Sequence, residues 1–238
     1  MNHRLELVKT VVCRPAACRE DFEQAFRLLY DRYLASGLTR PNRLKMRIAE
    51  HQLWPECQVI VAEQYRRIVG TVSLVADGPR RLPLETVFAG IVCNLRQAGA
   101  KLVEVGCLAA LAGSSQLHSP IFVALTRATI HDARYRGFGR MLAAVHPRHG
   151  NFYEGGMGFQ RLSKTASYES VEGKSAICVA GDPNEPLQYR QPWRDLFFGE
   201  QPHQVLPASG GRMSDADRRY FTKLCERVGC YSDARGAA

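Results

Sequence analysis

Segments with the patterns of helices and strands alternate along residues 20–181, and this alternation limits the possible folds more than any other feature of the sequence. Residues 20–35 place apolar side chains on one helix face, and Gly37 ends the pattern. Residues 57–62 and 68–75 are rich in β-branched residues and flank a short polar link. These two segments are predicted to form a β-hairpin.

The alternation continues beyond the hairpin. The pattern predicts, in order, a helix over 84–97, a strand from Lys101 to Ala109, a helix from Ser119 to Tyr135, a strand over 140–146, a short helix over 148–156 and strands over 160–170 and 175–181. A basic stretch over 43–53 is also predicted to be helical. Strands that alternate with helices in this way predict an α/β fold, with a mixed central sheet flanked by helices on both faces.

The last part of the chain has a different character. Several prolines and a Gly-Gly pair break the periodicity beyond residue 185, and a single capped helix is predicted to begin at Ser214. We therefore predict one domain over residues 1–185 and a C-terminal extension with a short helix over 186–238.

The composition is that of a globular protein. Of the 238 residues, 45% are hydrophobic, which is enough to build a core. No run of 18 apolar residues occurs and no signal peptide is apparent, so the protein is expected not to be transmembrane and to reside in the cytoplasm.

The eight cysteines are numerous for such a protein. Four of them, at positions 57, 93, 107 and 178, lie in apolar segments and are predicted to be core residues. The others form two C-x4-C pairs, Cys13 with Cys18 and Cys225 with Cys230, and zinc pairs usually lie closer together. Free thiols and no metal site are therefore expected.

The net charge of +9 lies within residues 1–180, because the last 58 residues contain eight Lys or Arg and eight Asp or Glu. A basic surface suits nucleic acid, anionic lipid or an acidic protein, and charge alone does not choose among them. The positive charges are scattered pairs, such as Arg66-Arg67 and Arg80-Arg81, rather than runs. This pattern argues against nucleic acid as the partner.

Three segments carry a family resemblance when they are taken in order. They are GTVSLVADGPRRLP at 70–83, LVEVGCLA at 102–109 and HPRHGNFY at 146–153. Together they resemble the N-acyl amino acid synthases of the FeeM type, which are relatives of the acyl-homoserine lactone synthases and share the GNAT acyltransferase fold. The helix predicted over 84–97 is also similar to these families. One departure is His146, where such proteins often have Asn.

The resemblance implies an enzyme that acylates an amine. The expected donor is a long-chain fatty acyl thioester on the phosphopantetheine of acyl carrier protein, and the expected acceptor is an amino acid. No tightly bound cofactor is expected. The basic surface of the domain would then bind an acidic carrier protein.

Glu104 interrupts the otherwise apolar strand KLVEVGCLAAL. Burying a carboxylate without a partner is costly, so this residue needs either a partner or a purpose. Aminolysis of a thioester requires the attacking ammonium to lose a proton, and a desolvated carboxylate can accept it. We predict that Glu104 is the general base; the alternative is a structural ion pair.

Gly106 follows two residues later and indicates either a bulge or a close backbone approach. In the GNAT family the chain splays at this place and backbone N–H groups meet the thioester carbonyl, so the resemblance implies that the amides of Cys107 and Leu108 stabilise the oxyanion. Cys107 could instead form an acyl-cysteine, but no activating His stands at a readable spacing.

The segment around residue 150 contains further candidates. Arg148, at a junction between a strand and a helix, is a candidate for binding a phosphate or the carboxylate of the acceptor, and His146 and His149 flank it. The resemblance implies that Tyr153 protonates the leaving thiolate, the alternative being a core aromatic residue. Ser73, in the first matched segment, is assigned to substrate binding.

A second motif is interpreted as a false match. Residues 134–139 fit the R-x-x-G-x-G signature for the pyrophosphate of coenzyme A, but that loop must precede a helix, and a strand is predicted directly after Gly139. This favours a carrier-bound phosphopantetheine over free coenzyme A. An acyl-homoserine lactone-like signal synthase, a non-catalytic module that binds lipid or acyl carrier protein, and a coenzyme A-dependent acetyltransferase remain as alternatives.

Overall fold

The computed structural model of the chain describes residues 11–111, 120–199 and 211–228. The described strands are β1 (Val12–Pro15), β2 (Cys57–Gln64), β3 (Arg67–Ala76), β4 (Leu102–Ala110), β5 (Arg140–Val145), β6 (Gln160–Arg161), β7 (Ala166–Tyr168) and β8 (Lys174–Gly181). They form one sheet in the order β1-β2-β3-β4-β5-β8-β6, with β7 also paired to β8. The pairing of β4 with β5 is parallel, and the other pairings are antiparallel.

Helices cover both faces of the sheet, as the sequence predicts. The described α-helices are α1 (Arg19–Ala35), α2 (Glu85–Gln97), α3 (Pro120–Tyr135), α4 (Gly150–Gly155), α5 (Trp193–Phe198) and α6 (Asp215–Val228). One core lies between the sheet and α1 and includes Phe26 and Leu29, while a second core on the opposite face contains Leu125 and Ile130 of α3. Most of the predicted elements are therefore confirmed to within a few residues.

The hairpin of β2 and β3 illustrates how local sequence produces this fold. Tyr65 and Arg66 form the two-residue connection, and both have positive φ angles, of 50° and 61°. Two consecutive positive φ angles give a turn whose twist matches that of the flanking strands. The predicted polar link from Glu63 to Arg67 is therefore a tight turn, and Val59, Val61 and Val72 of the two strands are buried.

The central strands β4 and β5 separate part-way along their length. Their parallel pairing runs only from Leu102 to Glu104 on β4, opposite Arg140 to Leu142 on β5. Beyond this point β4 remains paired with β3, and β5 remains paired with β8. The sheet therefore opens immediately after Glu104.

A β-bulge lies on β4 directly after this opening. Ser73 of β3 pairs with Gly106, but Thr71 pairs with Ala109, so the single residue Val72 faces both Cys107 and Leu108. An extra residue in one strand is left out of the hydrogen-bond ladder and bends the strand. Cys107 accordingly adopts a left-handed backbone conformation, with φ of 50°.

Part of the chain beyond residue 185 packs against the same two cores. Tyr189 and Phe197 are fully buried beside α3, and Phe221 of α6 is fully buried against α1. The side chain of Ser214 accepts the N–H of Asp217, which confirms the predicted start of this last helix. The domain boundary after residue 185 stays a prediction.

One predicted element is wrong, and a second is found only in part. Residues 43–53 contain only a 3-10 turn over Glu50–Leu53, because the four consecutive residues 46–49 are all buried, which an amphipathic helix does not allow. Asn42 holds this irregular segment by donating its amide to the carbonyl of Met46. The predicted strand over 160–170 is interrupted between Arg161 and Ala166.

Two cysteine predictions also need correction. Cys93 is exposed on α2 rather than buried, while its neighbour Val92 takes the buried position of this helix. Cys225 is disulfide-bonded rather than free, and Cys230, the other cysteine of its C-x4-C spacing, lies outside the described residues. Cys13, Cys57, Cys107 and Cys178 are free and buried, and Cys18 is free and exposed. Ser119, the predicted N-cap of α3, also lies outside the described part.

None of the helices in the described ranges combines the length and the apolar character needed to cross a bilayer.

Gly158, between α4 and β6, provides a test of the packing of the segment that follows β8. Its φ angle is 65°, and an added Cβ would overlap the carbonyl of Gln188. We expect Gly158→Ala to lower the free energy of unfolding by about 1–3 kcal/mol from backbone strain alone. Chemical denaturation measures this change. Gly139→Ala is the matched control, because a Cβ there meets no atom within 4 Å; equal stability of the two variants would contradict the described packing.

Candidate active site

A cavity of about 380 Å³ occupies the opening between β4 and β5. Its walls combine the bulged part of β4, the end of β5 with the turn that follows, the C-terminal part of α1, and the irregular segment before β2. Cavities of about 300–1,000 Å³ are typical of small-molecule sites. The site residues predicted from sequence that line it are Glu104, Cys107, Leu108, His146, Arg148, His149 and Tyr153.

Glu104 lies at the inner end of this cavity and is only 5% exposed. Its Oε2 accepts the backbone N–H of Leu84, at a distance of 2.8 Å, just before α2 begins. The amino end of a helix favours a negative charge, and the carboxylate of Glu104 lies at this end of α2. The carboxylate thus stands at the point where the sheet opens, with one oxygen fixed.

Cys107 contacts His51 in the wall of the same cavity. The Sγ atom of Cys107 lies 3.3 Å from Nε2 of His51, and both residues are buried. His51 belongs to the 3-10 turn Glu50–Leu53, 56 residues before Cys107, so no sequence spacing indicates this pair. The absence of an activating His, expected from the sequence, is therefore corrected by the structure.

Arg47 is a second residue that the sequence analysis did not identify. It is only 3% exposed, it lines the cavity, and its Nη2 donates to the carbonyl of Ser170 at 2.7 Å. Its guanidinium also lies over the ring of Tyr33, 4.7 Å from the centroid. A buried guanidinium of this kind suits planar anions such as carboxylates. Residues 43–53 have no regular periodicity, so the sequence does not indicate Arg47 as a site residue. Its burial, which is seen only in the structure, is the signal that identifies it.

The cavity wall is predominantly basic. Arg32, Arg47, Arg148 and Lys174 line it, while Glu104 is the single acidic residue among the described residues of the wall. This imbalance favours an anionic ligand.

The turn after β5 places Arg148 between two histidines. His146 Nδ1 accepts the backbone N–H of Arg148, and His149 Nε2 accepts the Nε–H of Arg148 at 3.1 Å. Burial lowers the pKa of His149, and the electrostatic interactions with Arg148 and His146 lower it further. His149 is therefore neutral near pH 7 and orients the guanidinium of Arg148, which is exposed at the rim.

Tyr153 of α4 lines the main cavity and also a smaller, adjoining one of about 120 Å³ on the α3 side. Burial raises the pKa of Tyr153 to about 12, so its hydroxyl remains protonated at neutral pH. The smaller cavity is mostly apolar; its further walls include Phe122, Met141, Met157 and Phe159.

The interpretation of Ser73 as a substrate-binding residue differs in outcome from the interpretation of the R-x-x-G-x-G match. Ser73 is fully buried and is not among the residues of the cavity wall; its hydroxyl accepts the side-chain amide of Gln52 at 3.0 Å. It pairs with Gly106 of β4, directly before the bulge. Residues 134–139 form the end of α3 and a turn into β5, so the R-x-x-G-x-G match does not precede a helix. Residues 112–119 lie outside the described residues.

Within the described ranges, no group of three or more His, Cys, Asp or Glu residues could hold a metal ion. His146 and His149 have ring centroids 6.3 Å apart, and Arg148 donates a hydrogen bond to His149.

Comparison with known proteins agrees with this geometry. The family model described as N-acyl amino acid synthase FeeM matches residues 24–182. The chain belongs to this family. No curated protein sequence matches the chain.

Solved structures share the fold. FeeM, an N-acyl amino acid synthase from uncultured soil microbes, aligns with a TM-score of 0.66 at 21% identity, covering 75% of this chain and 94% of that chain. BjaI, a coenzyme A-dependent acyl-homoserine lactone synthase, aligns with a TM-score of 0.57 at 17% identity, covering 90% and 100%. An N-acetyltransferase from Staphylococcus aureus Mu50 aligns with a TM-score of 0.50 at 14% identity, covering 73% and 99%.

The predicted GNAT acyltransferase fold is therefore confirmed, and this member of the FeeM family is an N-acyltransferase.

Proposed function

We propose that the enzyme transfers a long-chain fatty acyl group from the phosphopantetheine thioester of acyl carrier protein to the amine of an amino acid. The observation that carries this proposal is the position of Glu104, a buried carboxylate at the opening of the sheet in an otherwise basic cavity. A carboxylate placed there can accept the proton of an ammonium group.

The β-bulge supplies the second part of the proposed catalytic site, the oxyanion site. The backbone at Cys107 and Leu108 leaves the regular ladder with β3, which frees amide groups to stabilise the negative charge that develops on the thioester oxygen. The deprotonated amine attacks the acyl carbonyl, and the carbon–sulfur bond breaks. Tyr153, whose hydroxyl is protonated, donates to the departing thiolate.

The basic residues of the wall suit the anionic parts of the substrates. Arg47, buried and fixed by Ser170 and Tyr33, is placed to bind the carboxylate of an amino acid. Arg148, oriented by His149 at the rim, is placed to bind the phosphate of the pantetheine arm or that same carboxylate. The smaller apolar cavity on the α3 side accommodates part of the acyl chain.

The turn at residues 134–139 supports a carrier-bound donor. Because β5 follows this turn directly, its Arg and Gly residues cannot place a helix terminus against a pyrophosphate. A phosphopantetheine arm has a single phosphodiester and needs no such site. The net charge of +9 is suited to an acidic carrier protein.

A donor and acceptor competition tests the proposal. Purified enzyme is given long-chain acyl carrier protein or long-chain acyl-coenzyme A, each with a mixture of amino acids, and the products are identified by mass spectrometry. N-acyl amino acids formed faster from the carrier-bound donor are expected. No amide product with any donor or chain length would refute the proposal.

The fold similarity to BjaI favours one second candidate, an acyl-homoserine lactone-like synthase. The same assay with S-adenosylmethionine as the sole acceptor distinguishes the two, because a homoserine lactone product forms only under this alternative.

Replacing Tyr153 tests the proton donor. We expect Tyr153→Phe to reduce turnover by about 10- to 100-fold, since only the hydroxyl that meets the leaving thiolate is removed. The aromatic contacts with Phe152 and Phe159 are retained, so the unfolding temperature should change little. Steady-state kinetics measures the loss, and Tyr189→Phe, a buried hydroxyl away from the cavity, is the control. Unchanged turnover in Tyr153→Phe would assign Tyr153 to packing alone.

A further inference from the structure

We propose that Cys107, with His51 as its base, accepts the acyl group covalently before it passes to the amine. The proposal rests on the proposed function and adds an acyl-enzyme intermediate to it. Its basis is the thiol–imidazole pair in the wall of the cavity, with 3.3 Å between Sγ and Nε2. A nucleophile within hydrogen-bond reach of a base is the arrangement that covalent catalysis requires.

The bulge is what brings the thiol to the correct face of the sheet. In a regular strand Glu104 and Cys107, three residues apart, would point to opposite faces. The extra residue in β4 reverses this alternation, so that Cys107 packs in the core on the α1 side and lines the cavity together with Glu104. Cys107 takes a left-handed φ of 50° to do so, a conformation that residues other than glycine rarely adopt.

His51 is held in place from two directions. Gln52, next to it in the 3-10 turn, accepts the N–H of Ala49 and donates to Ser73 under the bulge. On the outer side, Arg218 of α6 donates to the carbonyl of Leu53 at 2.8 Å. The turn that carries the imidazole is thus tied both to the sheet and to the last helix, which keeps its ring directed at the thiol.

The reaction proceeds in two steps, the first forming a thioester on Cys107 and the second forming the amide product. In the first, the Cys107 proton passes to His51, the sulfur forms a bond to the acyl carbon, and the bond from this carbon to the donor sulfur breaks. The donor thiolate takes a proton from Tyr153, and the proton held by His51 then restores the Tyr153 hydroxyl. The backbone amide of the nucleophile can serve in the oxyanion site, as in other acyl transfers. One thioester replaces another, so no oxidant or energy source is needed.

In the second step, the amine loses a proton to Glu104 and forms its bond to the acyl carbon, and the bond from this carbon to Cys107 breaks. The amine releases a second proton as the intermediate collapses. One of these protons returns to the Cys107 thiolate through His51, and the other passes to solvent.

The test uses the whole chain and a long-chain acyl thioester without acceptor. After an acid quench, intact-mass analysis should show one acyl group per chain, and peptide mapping of the wild-type protein should place it on Cys107. Hydroxylamine should remove this group, and an added amino acid acceptor should convert it to N-acyl product. Glu104→Gln should accumulate the adduct, because only the second step needs the carboxylate.

Three variants complete the experiment. Cys107→Ala should give no adduct and lose most of its turnover, and His51→Gln should form the adduct about 10²-fold more slowly. Cys178→Ala, a buried cysteine on the same face but outside the cavity wall, should behave as wild type.

Failure of this inference and failure of the proposed function give different results. Wild-type protein that makes N-acyl product but shows no adduct on rapid quenching refutes the covalent step and leaves the proposed function intact. An adduct that maps to another residue also refutes it. Wild-type protein that makes no amide product under any condition refutes the proposed function itself.

Discussion

Glu104→Gln is expected to lower turnover by about two orders of magnitude, the usual contribution of a general base. The amide cannot accept a proton from the ammonium group of the acceptor, but its oxygen can still accept the N–H of Leu84, which is 2.8 Å from Oε2 in the wild-type protein. The folded structure should therefore be retained. Steady-state kinetics with a saturating donor, together with thermal unfolding, separates the two effects.

The matched control for this variant is Glu63→Gln. Glu63 forms an ion pair with Arg14 at 2.8 Å, near the end of β2 and away from the cavity wall. It should keep its activity. If Glu104→Gln instead unfolds at a lower temperature while its turnover is unchanged, the carboxylate has a structural role only and the proposed chemistry is wrong.

Gly106→Val is expected to abolish most of the transfer of long acyl chains without destabilising the fold. Gly106 lines both cavities, and an added Cβ meets no atom within 4 Å, so a larger side chain would enter the space between β4 and β5. Valine also favours the conformation of a strand. We expect a loss of about 10²-fold or more, because small displacements of reacting groups have effects of this size.

The size of the side chain and the length of the acyl chain both provide checks on this expectation. Gly106→Ala should have a smaller effect than Gly106→Val, and short-chain donors should be affected less than long ones. Gly90→Ala is the control, since Gly90 on α2 also has open space at the Cβ position but lies outside the cavity wall. Normal transfer of long chains by Gly106→Val would show that the acyl chain does not pass between these strands.

The order of elements could be predicted because each depends on local patterns of apolar residues. The helix over residues 20–35 and the hairpin at 57–75 needed only periodicity and turn chemistry, and both are found within a few residues. Glu104 could likewise be predicted as a site residue, because it is a charged residue in an apolar strand.

The remaining parts of the site depend on contacts between distant segments, which the periodicity of apolar residues does not predict. His51 and Cys107 are 56 residues apart and meet only through the tertiary fold. The face to which Cys107 points depends on a bulge, and a bulge is a property of two paired strands rather than of one segment. Arg47 lies in a buried irregular segment, where neither helix nor strand spacing applies.

Helix α6 has a consequence for any attempt to isolate the catalytic part of this enzyme. It lies beyond residue 182, where the match to the family ends, yet Arg218 binds the segment that carries His51 and Phe221 packs against Phe26, with ring centroids 5.1 Å apart. A fragment trimmed to the shared family region would lose this outer support and expose an aromatic surface of α1. Chimeras with relatives should therefore exchange the last helix together with the segment before β2, as one unit.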